Sequence, residues 1–109
     1  MTERPPVFGI DVDPETRCGH YRGPTDVIAL RFKCCDRWHP CFECHAALTD
    51  HFPQVWSASD AGVEGVLCGK CGHQLTIAEY VGCESRCPAC GAAFNPGCRH
   101  HWHLYFEPP

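Results

Sequence analysis

The chain has 109 residues, enough for one domain or for one domain with a minor second lobe. Eleven residues are cysteines, and ten glycines and ten prolines interrupt regular structure, so the ordinary apolar core is thin for this length. The formal net charge of −4 disfavours a general role in nucleic-acid binding, because an anionic surface repels phosphates. No stretch is long and apolar enough to span a membrane.

The first half of the chain predicts an arm, a strand and a helix. Residues 1–17 are rich in proline near their start and are expected to form an extended N-terminal arm. Apolar residues alternate with others over 26–33, which predicts a short strand. Good helix formers over 42–50 predict a short helix. Residues 53–65 are rich in Ser, Gly, Asp and Pro, and we expect them to form a surface loop.

The loop is the expected boundary between a lobe formed by 18–52 and a lobe formed by 66–90. In the second lobe, Thr76 and Glu79 have the spacing of a capping box, which predicts a helix over 77–81. The last segment, 91–109, is expected to be an aromatic tail that packs on the domain, with a final strand over its residues 101–106. Together these elements predict a small α+β domain with little regular secondary structure.

The cysteines indicate metal sites rather than disulfide bonds. Their number is odd, so disulfides alone would strand one thiol, and the first six residues lack the apolar core of a secretory signal. They also recur as C-x-x-C pairs with histidines close by, a spacing that suits two sulfurs on one metal ion. The pairs are Cys41/Cys44, Cys68/Cys71 and Cys87/Cys90. We therefore expect a reducing cytoplasmic location and structural zinc that supplements the thin core.

The second half of the chain carries the most specific pattern. Cys68-x2-Cys71 is followed, after fifteen intervening residues, by Cys87-x2-Cys90. Two such turns bring four sulfurs into the tetrahedron that zinc prefers, and each turn also points backbone N–H groups at its sulfurs. This spacing predicts one four-cysteine zinc site.

The first half holds eight further potential ligands within 34 residues, enough for two more sites. They are Cys18, His20, Cys34, Cys35, Cys41, Cys44, His45 and His51. Cys41 and Cys44 belong on one ion by the turn argument. His45 directly follows Cys44, and adjacent side chains on a helix diverge by about 100°, so we expect His45 to serve the other ion.

Two pairs in this half can share an ion only under a geometric condition. His45 and His51 are six residues apart, so the helix must end or bend between them. Cys34 and Cys35 are adjacent and would face opposite sides of a strand, so a turn must follow them. Asp36 is a suitable residue for that turn.

These motifs resemble the CHY-type zinc finger. The resemblance rests on Cys18-Gly19-His20-Tyr21, Cys34-Cys35, Cys41-x2-Cys44-His45, His51 and the two later C-x-x-C pairs, and it spans 18–90. It implies three zinc ions in closed structural sites. The implied ligand sets are Cys18, His20, Cys41 and Cys44; Cys34, Cys35, His45 and His51; and Cys68, Cys71, Cys87 and Cys90.

A closed site has no open position for water, so we expect no enzymatic activity, no catalytic residue and no small-molecule substrate. The leading hypothesis is a zinc-binding module that presents a rigid surface to a protein partner. A eukaryotic ubiquitin ligase of the family carries a RING domain after its CHY region, but no RING follows here, so ligase activity is not implied. A fungal member of similar size is associated with zinc removal and thiol oxidation in the mitochondrial intermembrane space. Zinc or thiol handling is therefore the alternative.

Two cysteines and several histidines fall outside these sets. Cys83 and Cys98 are predicted to be free thiols. Two alternatives stay open: Cys83 as a competing ligand beside Cys87, and a further metal site formed by Cys98 with His101 or His103. Arg99, beside two histidines, is the only candidate basic patch and is weak, so nucleic-acid binding ranks below the other hypotheses.

The remaining aromatic residues are predicted to have packing or surface roles. Tyr21 is expected to pack beside the first zinc site. His39 and His73 lie in or beside zinc-binding turns and are expected to be exposed rather than ligating. The three tryptophans, Trp38, Trp56 and Trp102, are predicted to pack against the domain.

Overall fold

The computed structural model describes residues 6–51, 54–95 and 105–107. Its elements, in chain order, are β1 (Ile28–Phe32), β2 (Arg37–His39), α1 (Phe42–Leu48), a 3-10 turn (Ala58–Asp60), β3 (Glu64–Cys68), β4 (Gln74–Thr76) and α2 (Ile77–Gly82). The predicted α+β domain of short strands and short helices is confirmed. Among the described residues, no helix has the length and apolar character needed to cross a membrane.

The four strands form one antiparallel sheet in the order β2-β1-β3-β4. The strand expected over 26–33 is β1, and it occupies the interior of the sheet. Ile28, Ala29 and Leu30 are all buried, so β1 has apolar side chains on both of its faces. A strand with both faces covered can supply a large part of a thin core, which suits this cysteine-rich chain.

The sheet joins the two halves of the chain. Ile28 pairs with Cys68 and Leu30 with Val66, so β3 lies directly against β1. β3 begins at Glu64, inside the segment that was expected to be a loop. Its adjacent residues Val66 and Leu67 are apolar and buried, so both faces of the strand are covered. The expected loop therefore ends two residues early.

Both predicted helices are present, and each begins at a residue that caps it. α1 ends at Leu48, close to the predicted bound. At the start of α2, the Thr76 hydroxyl accepts a hydrogen bond from the Glu79 N–H at 3.1 Å, and the Glu79 carboxylate accepts one from the Thr76 N–H at 3.0 Å. The capping box read from the sequence is therefore confirmed.

The end of the chain is described only over residues 105–107. Tyr105 and Phe106 are buried, and Phe106 forms a β-bridge with Trp56. The Trp56 N–H donates to the Tyr105 carbonyl at 3.1 Å, and the Glu107 N–H donates to the Trp56 carbonyl at 2.7 Å. These residues pack on the domain, whereas residues 101–104 of the expected final strand lie outside the described residues.

The described part of the N-terminal arm folds back onto the domain. The Phe8 N–H donates to the carbonyl of Trp38 at 2.8 Å, so the arm runs beside β2. Further along, the Asp13 carboxylate accepts hydrogen bonds from the N–H groups of Glu15 and Arg17, which closes a turn. The Glu15 carboxylate then pairs with Lys70 at 2.9 Å, and this ion pair ties the turn to the segment that follows β3.

Candidate metal centres

The first cluster comprises Cys18, His20, Cys41 and Cys44. The Cys18 and Cys41 sulfurs are 3.7 Å apart, and Nδ1 of His20 lies 3.4 Å from each of the Cys41 and Cys44 sulfurs. A zinc tetrahedron with ordinary bond lengths has S–S edges of about 3.8 Å and S–N edges of about 3.6 Å. The spacing of these ligand atoms therefore fits zinc.

The first cluster lies between the loop before β1 and the start of α1. Its three cysteines are buried, and burial raises the pKa of the Cys41 thiol well above its usual range. The sulfurs nevertheless receive N–H donors, from Ile10 to Cys44 at 3.4 Å and from Cys44 to Cys41 at 3.3 Å. Buried thiolates without a cation are costly, so the pocket is suited to a divalent ion. Tyr21 packs against this cluster, as predicted.

The second cluster comprises Cys34, Cys35, His45 and His51. The Cys34 sulfur is 3.9 Å from the Cys35 sulfur, 3.1 Å from Nε2 of His45 and 3.2 Å from Nε2 of His51. The adjacent cysteines meet because the chain turns sharply after β1. The Asp36 N–H donates to the Phe32 carbonyl at 2.7 Å, and Asp36 takes the left-handed conformation at φ 56°.

The end of α1 brings His51 back to His45. The helix ends at Leu48, and the Thr49 hydroxyl donates to the His45 carbonyl at 2.7 Å. His45 itself is held rigidly, because its ring is buried and stacks on Phe32 with the centroids 4.3 Å apart. The geometric condition stated for the two histidines, a helix that ends between them, is met.

The third cluster comprises Cys68, Cys71, Cys87 and Cys90. Its cross-turn distances are 3.7 Å between the Cys68 and Cys90 sulfurs and 3.7 Å between those of Cys71 and Cys87. Each turn closes with a backbone hydrogen bond of 2.8 Å, from Gly72 to Cys68 and from Gly91 to Cys87. Both glycines have positive φ, at 80° and 76°, a conformation that glycine adopts without strain.

In each cluster the four ligand atoms lie within 4.8 Å of one another. The structure thus gathers all twelve predicted ligand residues, and it does so in the three sets that the CHY resemblance implies. Their coordination of zinc stays a prediction for each residue, with the distances and donor types in its favour.

Several residues singled out in the sequence lie outside the three clusters. The Cys83 thiol donates to the Tyr80 carbonyl at 3.0 Å and belongs to none of the three clusters. His73 is half-exposed, with Nε2 at 3.9 Å from the Glu79 carboxylate. Trp38 is buried, as predicted. The candidates at the end of the chain, Cys98, Arg99, His100, His101, Trp102 and His103, lie outside the described residues.

His39 was expected to be exposed, and that prediction is wrong. It is only 1% exposed, and its ring lies edge-on to Phe32 and His45, with centroids 5.2 Å and 5.1 Å away. Burial lowers its pKa to about 4. Nδ1 of His39 has no hydrogen-bond partner among the described residues. The ring supports His45 of the second cluster, a role that local spacing does not reveal because it depends on how β2 lies against α1.

The CHY zinc finger family model matches residues 18–96, most of the chain. The chain belongs to the CHY zinc finger family, and the family together with the three cysteine and histidine clusters supports zinc as the bound metal.

Several fungal relatives match over nearly the whole chain. Helper of Tim protein 13 of Saccharomyces cerevisiae is 46% identical over 106 residues, which cover 94% of this chain and 91% of that protein. Helper of Tim protein 13 of Kluyveromyces lactis is 43% identical, with 95% and 90% covered. An uncharacterized protein of Schizosaccharomyces pombe is 41% identical, with 93% and 88% covered. No solved structure matches the chain.

These relatives correct the expected location. We inferred a cytoplasmic location from the cysteine usage and from the first residues of the chain. Two of the relatives carry the name Helper of Tim protein 13, and that finding overturns the cytoplasmic prediction, which is wrong. The inference failed because metal-bound cysteines report how the thiols are used and do not specify a compartment.

Proposed function

We propose that the chain is a non-catalytic protein-binding module in which each cluster holds one structural zinc ion. The observation that carries this proposal is the closed donor set of each cluster, four protein ligand atoms within 4.8 Å of one another. Four such ligands complete a tetrahedral shell, whereas a zinc ion that activates water keeps one position open. Zinc would then supply folding free energy and leave recognition to the surface.

The surface offers a small set of exposed apolar side chains for a partner. Among the described residues, the large hydrophobic residues that stand exposed are Phe8, Ile10 and Leu48, at 41%, 37% and 48%. Ile10 and Leu48 lie on segments that the clusters hold in place, since Ile10 donates to Cys44 and Leu48 ends the helix that carries His45. A rigid apolar contact loses little conformational entropy on binding.

The relatives suggest which partner to test. Their name, Helper of Tim protein 13, describes them as helpers of a Tim protein. We carry this over as a proposal that the module binds a Tim protein. The identity of 46% over nearly the full length of both chains supports the transfer.

The experiment has two parts, both on the zinc-loaded full chain. Native mass spectrometry is expected to show three zinc ions, and two or four would contradict the assignment of the clusters. Binding to purified Tim proteins is then measured by isothermal titration, with Leu48→Ser as the test variant. Ala78→Ser, at an exposed position on the other helix, is the control.

Leu48→Ser is expected to weaken binding about tenfold, as for a contact residue near the centre of an interface, and Ala78→Ser is expected to leave it unchanged. Absence of association with every Tim protein at micromolar concentrations would refute the proposed partner. Equal weakening by both variants would refute the proposed surface.

A further inference from the structure

The three clusters differ in how far their ligands open to solvent. In the first cluster the three cysteines are buried, and only His20 is exposed. In the third, Cys68 and Cys87 are buried, while Cys71 is partly exposed and Cys90 is exposed. In the second cluster His45 alone is buried, while both cysteines are partly exposed and His51 is exposed. The second cluster therefore has the fewest buried ligands of the three.

The clusters also differ in charge once they hold a divalent ion. Three thiolates leave the first cluster with one excess negative charge, and four leave the third with two. The two thiolates of the second cluster balance the ion, because the other two ligands are neutral imidazoles. An approaching anion is consequently repelled least at the second cluster.

A surface groove leads to this cluster. It has a volume of about 640 Å³, and Cys35 and His51 form part of its wall. The other lining residues are Arg37, Ala47, Leu48, Thr49 and Asp50. A groove of this size suits a small molecule or a short peptide. Arg37 is exposed and adds a positive charge to the groove wall, and Asp50 adds a negative one.

One ligand of the second cluster is placed to depart. His45 is buried and stacked on Phe32, so its withdrawal would open the core. His51 is exposed and follows the end of α1, and its ring meets the ring of His45 edge-on, with centroids 4.9 Å apart. Withdrawal of His51 therefore disturbs little packing.

We propose that this groove is a ligand-exchange site, at which the thiolate of a small anionic thiol peptide takes the place of His51 on the metal. The incoming sulfur donates a lone pair to the metal ion, and the bond between the ion and Nε2 of His51 breaks. The proton of the incoming thiol goes to water. No atom changes its oxidation state, so no oxidant or reductant is needed. The site makes the second cluster the exchangeable one. Leu48 lies both in this groove and on the proposed partner surface, so exchange is tested on the chain without a partner.

Glutathione is the probe for this site. The zinc-loaded full chain is mixed with glutathione and a chromogenic zinc chelator, and samples are quenched with an alkylating reagent and mapped by mass spectrometry. One ion is expected to leave at least tenfold faster than the others, and Cys34 and Cys35 are expected to become alkylated in that phase. The proposal would be overturned if cysteines of the first or third cluster became alkylated before Cys34 and Cys35, or if all ions left in one phase.

Two matched charge variants test the groove itself. Arg37→Gln removes the cation from the groove, and Arg22→Gln removes an exposed cation two residues from His20 of the first cluster. At low ionic strength, Arg37→Gln is expected to slow the first phase about threefold with glutathione and not with uncharged 2-mercaptoethanol. Arg22→Gln is expected to change neither rate. Equal rates for the two variants would refute the role of the groove, even if the second cluster still exchanges first.

Discussion

Gly69 provides a sharp test of how the N-terminal arm is docked on the third cluster. It lies between Cys68 and Lys70, in the first turn of that cluster, and its N–H donates to the Val27 carbonyl at 2.7 Å. A Cβ atom at this position would lie 2.0 Å from the carbonyl oxygen of Glu15 and 2.7 Å from Oγ1 of Thr16. Ordinary contacts begin at 3.4 Å, so Gly69→Ala requires the backbone at Glu15 to move by roughly 1 Å or more.

That movement is resisted by the contacts that hold Glu15. Its N–H donates to Asp13 at 2.8 Å, and its carboxylate pairs with Arg17 at 2.7 Å and with Lys70 at 2.9 Å. Because the clash is with backbone rather than with a flexible side chain, we expect a cost at the upper end for overpacking, about 3 kcal/mol. For a domain of this size, such a loss lowers Tm by about 12 °C.

The control is Gly82→Ala at the end of α2. A Cβ atom there meets nothing within 4 Å, so this substitution is expected to be neutral or to stabilise by about 0.5 kcal/mol. Urea unfolding is followed by tryptophan fluorescence at a fixed free zinc concentration, because zinc binding is linked to folding. Stabilities of the two variants that agree within about 0.5 kcal/mol would show that the arm is not packed on the turn in this way.

Three further predictions concern the zinc clusters and the capping box. Removal of zinc by excess chelator is expected to abolish the cooperative thermal transition seen by circular dichroism, since structural zinc contributes on the order of 10 kcal/mol; a metal-free chain that melts at the same temperature would contradict this. Cys87→Ser removes a buried thiolate of the third cluster. It should lower the zinc count in native mass spectrometry by one while Cys18 and Cys44 stay protected from alkylation, and loss of all the zinc would argue against independent clusters. Thr76→Ala removes one half of the capping box and is expected to cost about 1 kcal/mol in urea unfolding with the zinc count unchanged, whereas a stability equal to wild type would mean that the cap carries no weight.

The cellular location of the protein follows neither from its sequence pattern nor from its structure. Neither the pattern of cysteines nor their packing specifies a compartment, and the inference of a cytoplasmic location was overturned by the names of relatives. The three clusters have the same chemistry wherever their thiols stay reduced or metal-bound.

The features that the sequence determined by itself are local ones. The spacing of Cys68 and Cys71 places two sulfurs in a single turn. Thr76 and Glu79, three residues apart, cap the start of α2. The strand at β1 likewise follows from the alternation of apolar residues over 26–33. In each case the interacting groups are at most a few residues apart, so the backbone geometry between them has few alternatives.

Tertiary structure decided the features that depend on distant segments or on an unusual backbone conformation. Asp36 was a suitable turn residue from the sequence, but only the fold shows that it takes the left-handed conformation with which Cys34 and Cys35 share a cluster. β3 was missed because its strand character comes from pairing with β1 across more than thirty residues of chain. His39 is buried because β2 lies against α1, which brings its ring against His45. The ligands could be read from the sequence, but their exposure, on which exchange and recognition depend, is a property of the packed chain alone.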